Sequence, residues 1–225
     1  MDNGNGTGKI NVFVVDQHPL ILMSLQTLLD SQGDMKVCGK SNDTREALQV
    51  LAGAHADIVI TGLSFNNGPG GLEFLKDVRI HFPKLRTLVL SSHTERSYAE
   101  RAMKAGAQGY VSKTESPEEI LLAVRTVYND GVHLSKNILS IVVRQFASGV
   151  LSEGSSPVQH LADRELEVFQ LLGQGRETRQ IAESLNVSMK TVQAFCARIK
   201  SKLKLASATE LLREAVRWHE SQQPK

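Results

Sequence analysis

Between Ile10 and Asp130 this chain repeats one pattern five times: a short, almost wholly apolar run, then a stripe of apolar residues at helical spacing. Ile-Asn-Val-Phe-Val-Val at 10–15 is the first run, and Leu20, Leu22, Leu25, Leu28 and Leu29 form the first stripe. Further runs lie at 35–39, 57–61, 85–91 and 109–112, and the periodicity predicts helices at 19–29, 43–53, 71–82, 95–105 and 117–130. Pro83 stands just past the third helix and Pro117 opens the fifth, where a missing N–H costs least. A strand with one wet face alternates apolar and polar residues, whereas a strand covered on both faces does not need to. These runs are of the second kind. They predict an α/β fold, a doubly wound five-stranded parallel sheet with helices on both faces. In such sheets the crevice for ligands lies at the carboxyl ends of the strands. The residues to examine are therefore those that end the first, third, fourth and fifth runs.

The alternation stops after the fifth helix. Ser135 to Phe146 is amphipathic and predicts a connecting helix, and 148–159 is rich in Gly, Ser and Pro, as a flexible linker is. Beyond it only helical patterns occur. Asp163–Leu172 is closed by Gly173 and Gly175, and Thr178–Leu185 is short. Met189–Lys204 follows Ser188, a residue suited to capping a helix start, and Ser207–Trp218 comes last. A short helix, a tight turn and a longer helix with basic residues at its far end form the helix-turn-helix pattern. The expected organisation is a first domain at 9–131, a connecting segment at 132–159 and an all-α helix-turn-helix domain at 160–222.

Composition removes several classes. The formal net charge is +2, so the chain is no histone-like polycation. The excess is local: 157–225 holds 11 basic and 8 acidic residues, against 15 and 16 before it. Arg198, Lys200, Lys202 and Lys204 crowd into seven positions. Two cysteines, Cys38 and Cys196, do not make a disulfide scaffold or a cluster of paired metal ligands, and the histidines lack metal-ligand spacing. No apolar run approaches the roughly 18 residues of a membrane span, and Met1–Lys9 lacks the apolar core of a signal peptide. A cytoplasmic protein without cofactor, metal or membrane partner is expected. Of the residues ending the runs, only Asp16, Ser91 and Lys113 carry reactive groups, too few for a base, nucleophile and metal set. An enzyme is not expected.

Particular blocks carry a family likeness. Val-Val-Asp-Gln-His-Pro at 14–19, Leu-Ser-Ser at 90–92 and Gly-Tyr-Val-Ser-Lys at 109–113 resemble those of a CheY-like receiver domain. Leu-Ala-Asp-Arg-Glu-Leu-Glu-Val at 161–168, Gln-Ile-Ala-Glu-Ser-Leu-Asn-Val-Ser at 180–188 and Lys-Thr-Val at 190–192 resemble the LuxR-type helix-turn-helix. The order resembles that of NarL/FixJ-class response regulators. The resemblance implies a receiver pocket of two acids after the first strand, a phospho-accepting Asp after the third, a hydroxyl after the fourth and a Lys after the fifth. Here Asp16 matches the first acid, but its neighbour is Gln17. Gly62 stands at the acceptor position, Ser91 matches the hydroxyl and Lys113 the Lys. Glycine cannot form an acyl phosphate, and Mg²⁺ requires hard oxygen ligands of which one carboxylate remains. A degenerate pocket is therefore expected, with Asp16 and Lys113 paired directly. Asp57 begins the third strand and belongs at the far end of the sheet.

The same resemblance implies that the 189–204 helix enters the major groove of double-stranded DNA. Lys190 and Thr191 at its start, Arg179 on the shorter helix, and Arg198 and Lys202 further along are phosphate candidates. Gln193 suits adenine, Ala194 a thymine methyl, and Ala197 faces the bases where relatives are often basic or polar. Phe195 stands where many relatives have His. The expected function is a DNA-binding transcriptional regulator that acts independently of aspartyl phosphorylation, as a homodimer or as a heterodimer with another regulator. The alternative is a protein-interaction regulator that pairs with another regulator or a sensor and binds DNA weakly, a reading that Phe195 and Ala197 favour.

Overall fold

The computed structural model describes residues 8–65, 70–92, 96–136, 138–139 and 157–222. They form two compact units, one built on a sheet and one of helices only. The sequence expectations for most of the connecting helix and linker lie outside the described residues.

In the first unit the elements alternate as the periodicity predicts: β1 (Ile10–Val15), α1 (Pro19–Asp30), β2 (Met35–Ser41), α2 (Thr44–Leu51), β3 (Ile58–Thr61), α3 (Gly71–His81), β4 (Arg86–Ser91), α4 (Arg96–Ala105), β5 (Gly109–Ser112) and α5 (Pro117–Tyr128). All pairings are parallel. The sheet has six strands, in the order β2-β1-β3-β4-β5-β6, which corrects the five read from the sequence. The extra strand, β6 (His133–Leu134), adds to the β5 edge, so these residues belong to the sheet and not to the connecting segment. Two residues are too few to show a hydrophobic period, which is why the pattern missed them.

Strand β1 shows why the runs are unbroken. Val12 and Val14 pack with Leu22, Leu25 and Leu29 of α1 and Val124 of α5 on one face. Phe13 and Val15 pack with Ala47 of α2 and Phe74 and Val78 of α3 on the other. Both faces are core, so both parities must be apolar. Helix ends follow their chemistry. Asp43 accepts from the backbone N–H of Arg45 and Glu46 to start α2, and Ser116 accepts from Glu119 N–H to start α5 with Pro117 behind it.

The second unit begins with a 3₁₀ turn at Pro157–His160 and continues with α6 (Asp163–Gly173), α7 (Thr178–Ser184), α8 (Met189–Leu203) and α9 (Ala208–Gln222). Leu166, Phe169, Ile181, Val192, Ile199, Leu211 and Ala215 are buried, one stripe from each helix. The ring of Phe169 lies 5.7 Å from that of Trp218. Gly173 permits the close approach of α6 and α9, because a Cβ there would lie 2.5 Å from the Ala215 carbonyl.

Candidate functional site

The carboxyl ends of β1, β3, β4 and β5 bring together Asp16, Gln17, Gly62, Ser91 and Lys113. Parallel register does this: Gly62 N–H donates to the Val15 carbonyl at 2.9 Å, and Lys113 N–H donates to the Ser91 carbonyl at 2.9 Å. Asp16 is 2% exposed. Its Oδ1 accepts from His18 N–H at 2.9 Å and lies 2.9 Å from His18 Nδ1. Its Oδ2 lies 2.5 Å from Lys113 Nζ, a cation that is itself mostly buried. The expected direct pair is present. Gln17 Nε2 lies 3.4 Å from His18 Nε2, and its Oε1 is buried without a hydrogen-bond partner among the described residues. Ser91 is buried at the end of β4. Asp57 sits at the other end of the sheet and accepts from Asn11 N–H at 2.8 Å.

Gly62 is confined on two sides. A Cβ on it would lie 2.9 Å from Asp16 Oδ2. Next along, Gly71 N–H donates to the Leu63 carbonyl at 2.9 Å, and a Cβ on Gly71 would lie 2.4 Å from the Gly62 carbonyl. The first turn of α3 thus rests directly on the backbone that follows β3. Among the described residues, no three His, Cys, Asp or Glu side chains gather as a metal-ligand set.

In the helical unit α8 is capped as expected: Ser188 Oγ accepts from Thr191 N–H at 3.0 Å and lies 2.8 Å from Thr191 Oγ1. Val192 and Ile199 face inward. Lys190, Gln193, Ala194, Ala197, Arg198 and Ser201 are exposed, and together they make the outward side of the helix. Phe195 is half-buried, with the Arg198 guanidinium carbon 4.8 Å from its ring centroid. Cys196 is half-buried, and burial is the main cause that pushes its thiol above its ordinary range. It is no ready nucleophile. Arg179 is exposed and paired with Glu183 at 3.0 Å. Lys204 ends α8 in the left-handed region, at φ 56°, so it leaves the helix and does not continue the Lys200 face as an i,i+4 neighbour.

Lys202 is less free than its neighbours. Its Nζ donates to Glu165 Oε2 at 2.7 Å and to the His160 carbonyl at 3.3 Å. Glu165, buried in the first turn of α6, also accepts from Ala162 N–H at 2.8 Å. Sequence reading missed this residue as a site member. Its one signal is a Glu three positions after the residue before the helix, the spacing at which a carboxylate caps backwards. Burial alone would raise the carboxyl of Glu165, but the Lys202 and Ala162 hydrogen bonds and the charges of Lys202 and Arg198 outweigh it and hold it low. A lowered folded-state value means stability present above the unfolded value of about 4.3 and lost as pH falls through the folded one. Glu165→Gln is therefore expected to destabilise the helical unit at pH 7 and to flatten its acid unfolding curve. Trp218 fluorescence reports this, since the chain has one Trp and it lies in this unit. An equally steep acid limb in the variant would assign the acid sensitivity to another group.

Comparison with known proteins agrees with both halves. Residues 12–125 match the response regulator receiver domain, and residues 159–215 match the luxR family of bacterial regulatory proteins. The oxygen regulatory protein NreC of Staphylococcus epidermidis is 32% identical over 212 residues, covering 92% of this chain and 97% of that one. NreC of Staphylococcus aureus is 31% identical over 211 residues, with the same coverage. Among solved structures, the RcsB response regulator of Salmonella typhimurium superposes with a TM-score of 0.66 over 93% of this chain and 98% of that one, at 22% identity. RcsB of Salmonella enterica serovar Typhimurium bound to promoter rprA, with the phosphomimetic BeF3⁻ present, gives 0.63 over 93% and 99%, at 23%. These structures agree in fold. The chain therefore belongs to the response regulators of the NarL/FixJ class, with a receiver domain followed by a luxR-family helix-turn-helix.

Proposed function

We propose that this response regulator binds double-stranded DNA through α8 and regulates transcription without aspartyl phosphorylation of its receiver. The observation that carries the second half is Gly62. It occupies the end of β3, beside Asp16 and Lys113, and offers no oxygen to a phosphoryl donor. The residues present do not fit Mg²⁺ either. A hard dication needs several oxygen ligands, and the one carboxylate here is neutralised by Lys113 while Gln17 supplies only a neutral amide. Asp16 is paired in charge with Lys113 and hydrogen-bonded to His18 through Oδ1, while its Oδ2 and Gln17 Oε1 are buried without a hydrogen-bond partner among the described residues. Acetyl phosphate or BeF3⁻ with Mg²⁺ is expected to leave DNA affinity and dimer population unchanged in the purified chain. A shift in either, or an acid-labile phosphate on the receiver, would overturn this part.

DNA binding is supported by the luxR-family match, by the capped start of α8 and by its outward side. Lys190 and Thr191 stand at the helix start, where amides and a cation favour phosphate, and Gln193, Ala194 and Ala197 face the bases. Arg179 reaches a phosphate from α7, its pairing to Glu183 being exposed and therefore weak. Lys202 is assigned mainly to the Glu165 contact. One recognition helix reads few base pairs, so two copies acting on a two-fold operator are proposed, either a homodimer or a pair with another regulator. The bare centre of the outward side, Ala194 and Ala197, favours the second reading of a regulator that acts chiefly on a protein partner. Salt separates the two: affinity for an operator falls steeply with ionic strength, about one power per phosphate contact, whereas titration of a partner does not follow DNA counterion release.

A further inference from the structure

Arg198 is not extended into solvent. Its guanidinium carbon lies 4.8 Å from the centroid of the Phe195 ring, and its Nε lies 3.4 Å from the Ala194 carbonyl, one turn back. The head group is thus folded toward the start of α8, over the turn before its own Cα, as long helical side chains commonly run. That is the half of a recognition helix that meets base edges. Around it, Ala194 and Ala197 end at Cβ and donate no hydrogen bond. The flank beyond Arg198 carries Lys202, whose ammonium is already engaged by the buried Glu165 carboxylate. A guanidinium held over a ring face is restrained in position, and its outer N–H donors remain available to a partner. That planar fork matches the O6 and N7 acceptors of guanine in the major groove.

We infer that Phe195 is a positioning residue that holds Arg198 as the guanine-reading residue of each operator half-site, an inference that rests on the DNA-binding reading above. The aromatic ring replaces an extended, mobile arginine with one oriented before contact, so less freedom is lost on binding. Base preference at that position then depends on the stack as well as on the charge.

The test is selection of duplexes by the full chain from a random pool, followed by affinity measurements on the enriched site. Wild type is expected to enrich half-sites with a guanine that disappears from the consensus of Arg198→Ala and Arg198→Lys. The lysine variant keeps the charge and so keeps the salt dependence. Phe195→Leu keeps apolar packing but removes the ring, and is expected to lose most of the guanine preference with Arg198 still present. Replacing that guanine by 7-deazaguanine removes the N7 acceptor and is expected to weaken wild-type binding about 10-fold. Hypoxanthine keeps both major-groove acceptors and is expected to bind as guanine does. Trp218 fluorescence checks that each variant is folded. A uniform loss over all sequences in Arg198→Ala, with the salt slope falling by about one, would make Arg198 a phosphate contact and overturn the assignment. Full guanine preference in Phe195→Leu would remove the positioning role. A pool with no enriched sequence would take down the DNA-binding reading itself, an outcome distinct from a consensus indifferent to position 198.

Discussion

Lys113→Met is expected to destabilise the receiver by about 3–5 kcal/mol, the cost of leaving one member of a buried ion pair without its partner. Asp16 is 2% exposed and Lys113 14% by side chain, so water cannot readily replace the lost ammonium. What remains to the carboxylate is one backbone N–H and the ring of His18. The single Trp lies in the other unit. Hydrogen exchange of the β1 and β5 amides in the full chain is the appropriate measurement. The double variant Asp16→Asn with Lys113→Met carries no charge at the site and is expected to recover most of the loss. If the single variant exchanges like wild type, the pair contributes nothing and the crevice tolerates a lone carboxylate.

Gly62→Asp is expected to destabilise the receiver by about 2 kcal/mol in Mg²⁺-free buffer. The new Cβ would sit 2.9 Å from Asp16 Oδ2, closer than side-chain carbons tolerate, so Asp16 must shift from its place. Two carboxylates would then share one ammonium, and like charges at such range disfavour joint ionisation. Adding Gln17→Asp supplies a third acid and completes an oxygen cluster of the kind Mg²⁺ selects. That double variant is expected to be less stable than wild type without metal and to regain stability as Mg²⁺ is added, because a ligand that binds only the folded state stabilises it by mass action. Wild type is expected to show no Mg²⁺ response. A metal-dependent shift in wild type would mean that oxygens other than these three positions hold the ion.

The sheet and its helices are legible from the sequence because burial on both faces leaves a strong signal: β1 is apolar at both parities, and α1 and α5 carry their stripes. The two-residue β6 is too short to carry such a signal. The crevice is legible because parallel strands carry the residues after their ends to one edge. Asp16, Gln17, Gly62, Ser91 and Lys113 are brought together by register alone. The helical unit is less transparent. Lys202 reads as one more exposed cation, and only the fold reveals that the start of α6 places Glu165 against it. The cation–π contact of Arg198 with Phe195 is equally hidden, since i,i+3 spacing puts the two within reach without specifying which way the arginine folds.

The lack of a side chain at Gly62, beside Asp16, also bears on which substitutions such a receiver can accept. A glycine there leaves Asp16 Oδ2 room to meet Lys113 Nζ. A pocket able to hold a metal would need acids at both 17 and 62, and the change at 62 taken alone is the one expected to weaken the receiver. The arrangement is therefore expected to resist single substitutions toward a metal site more than paired ones.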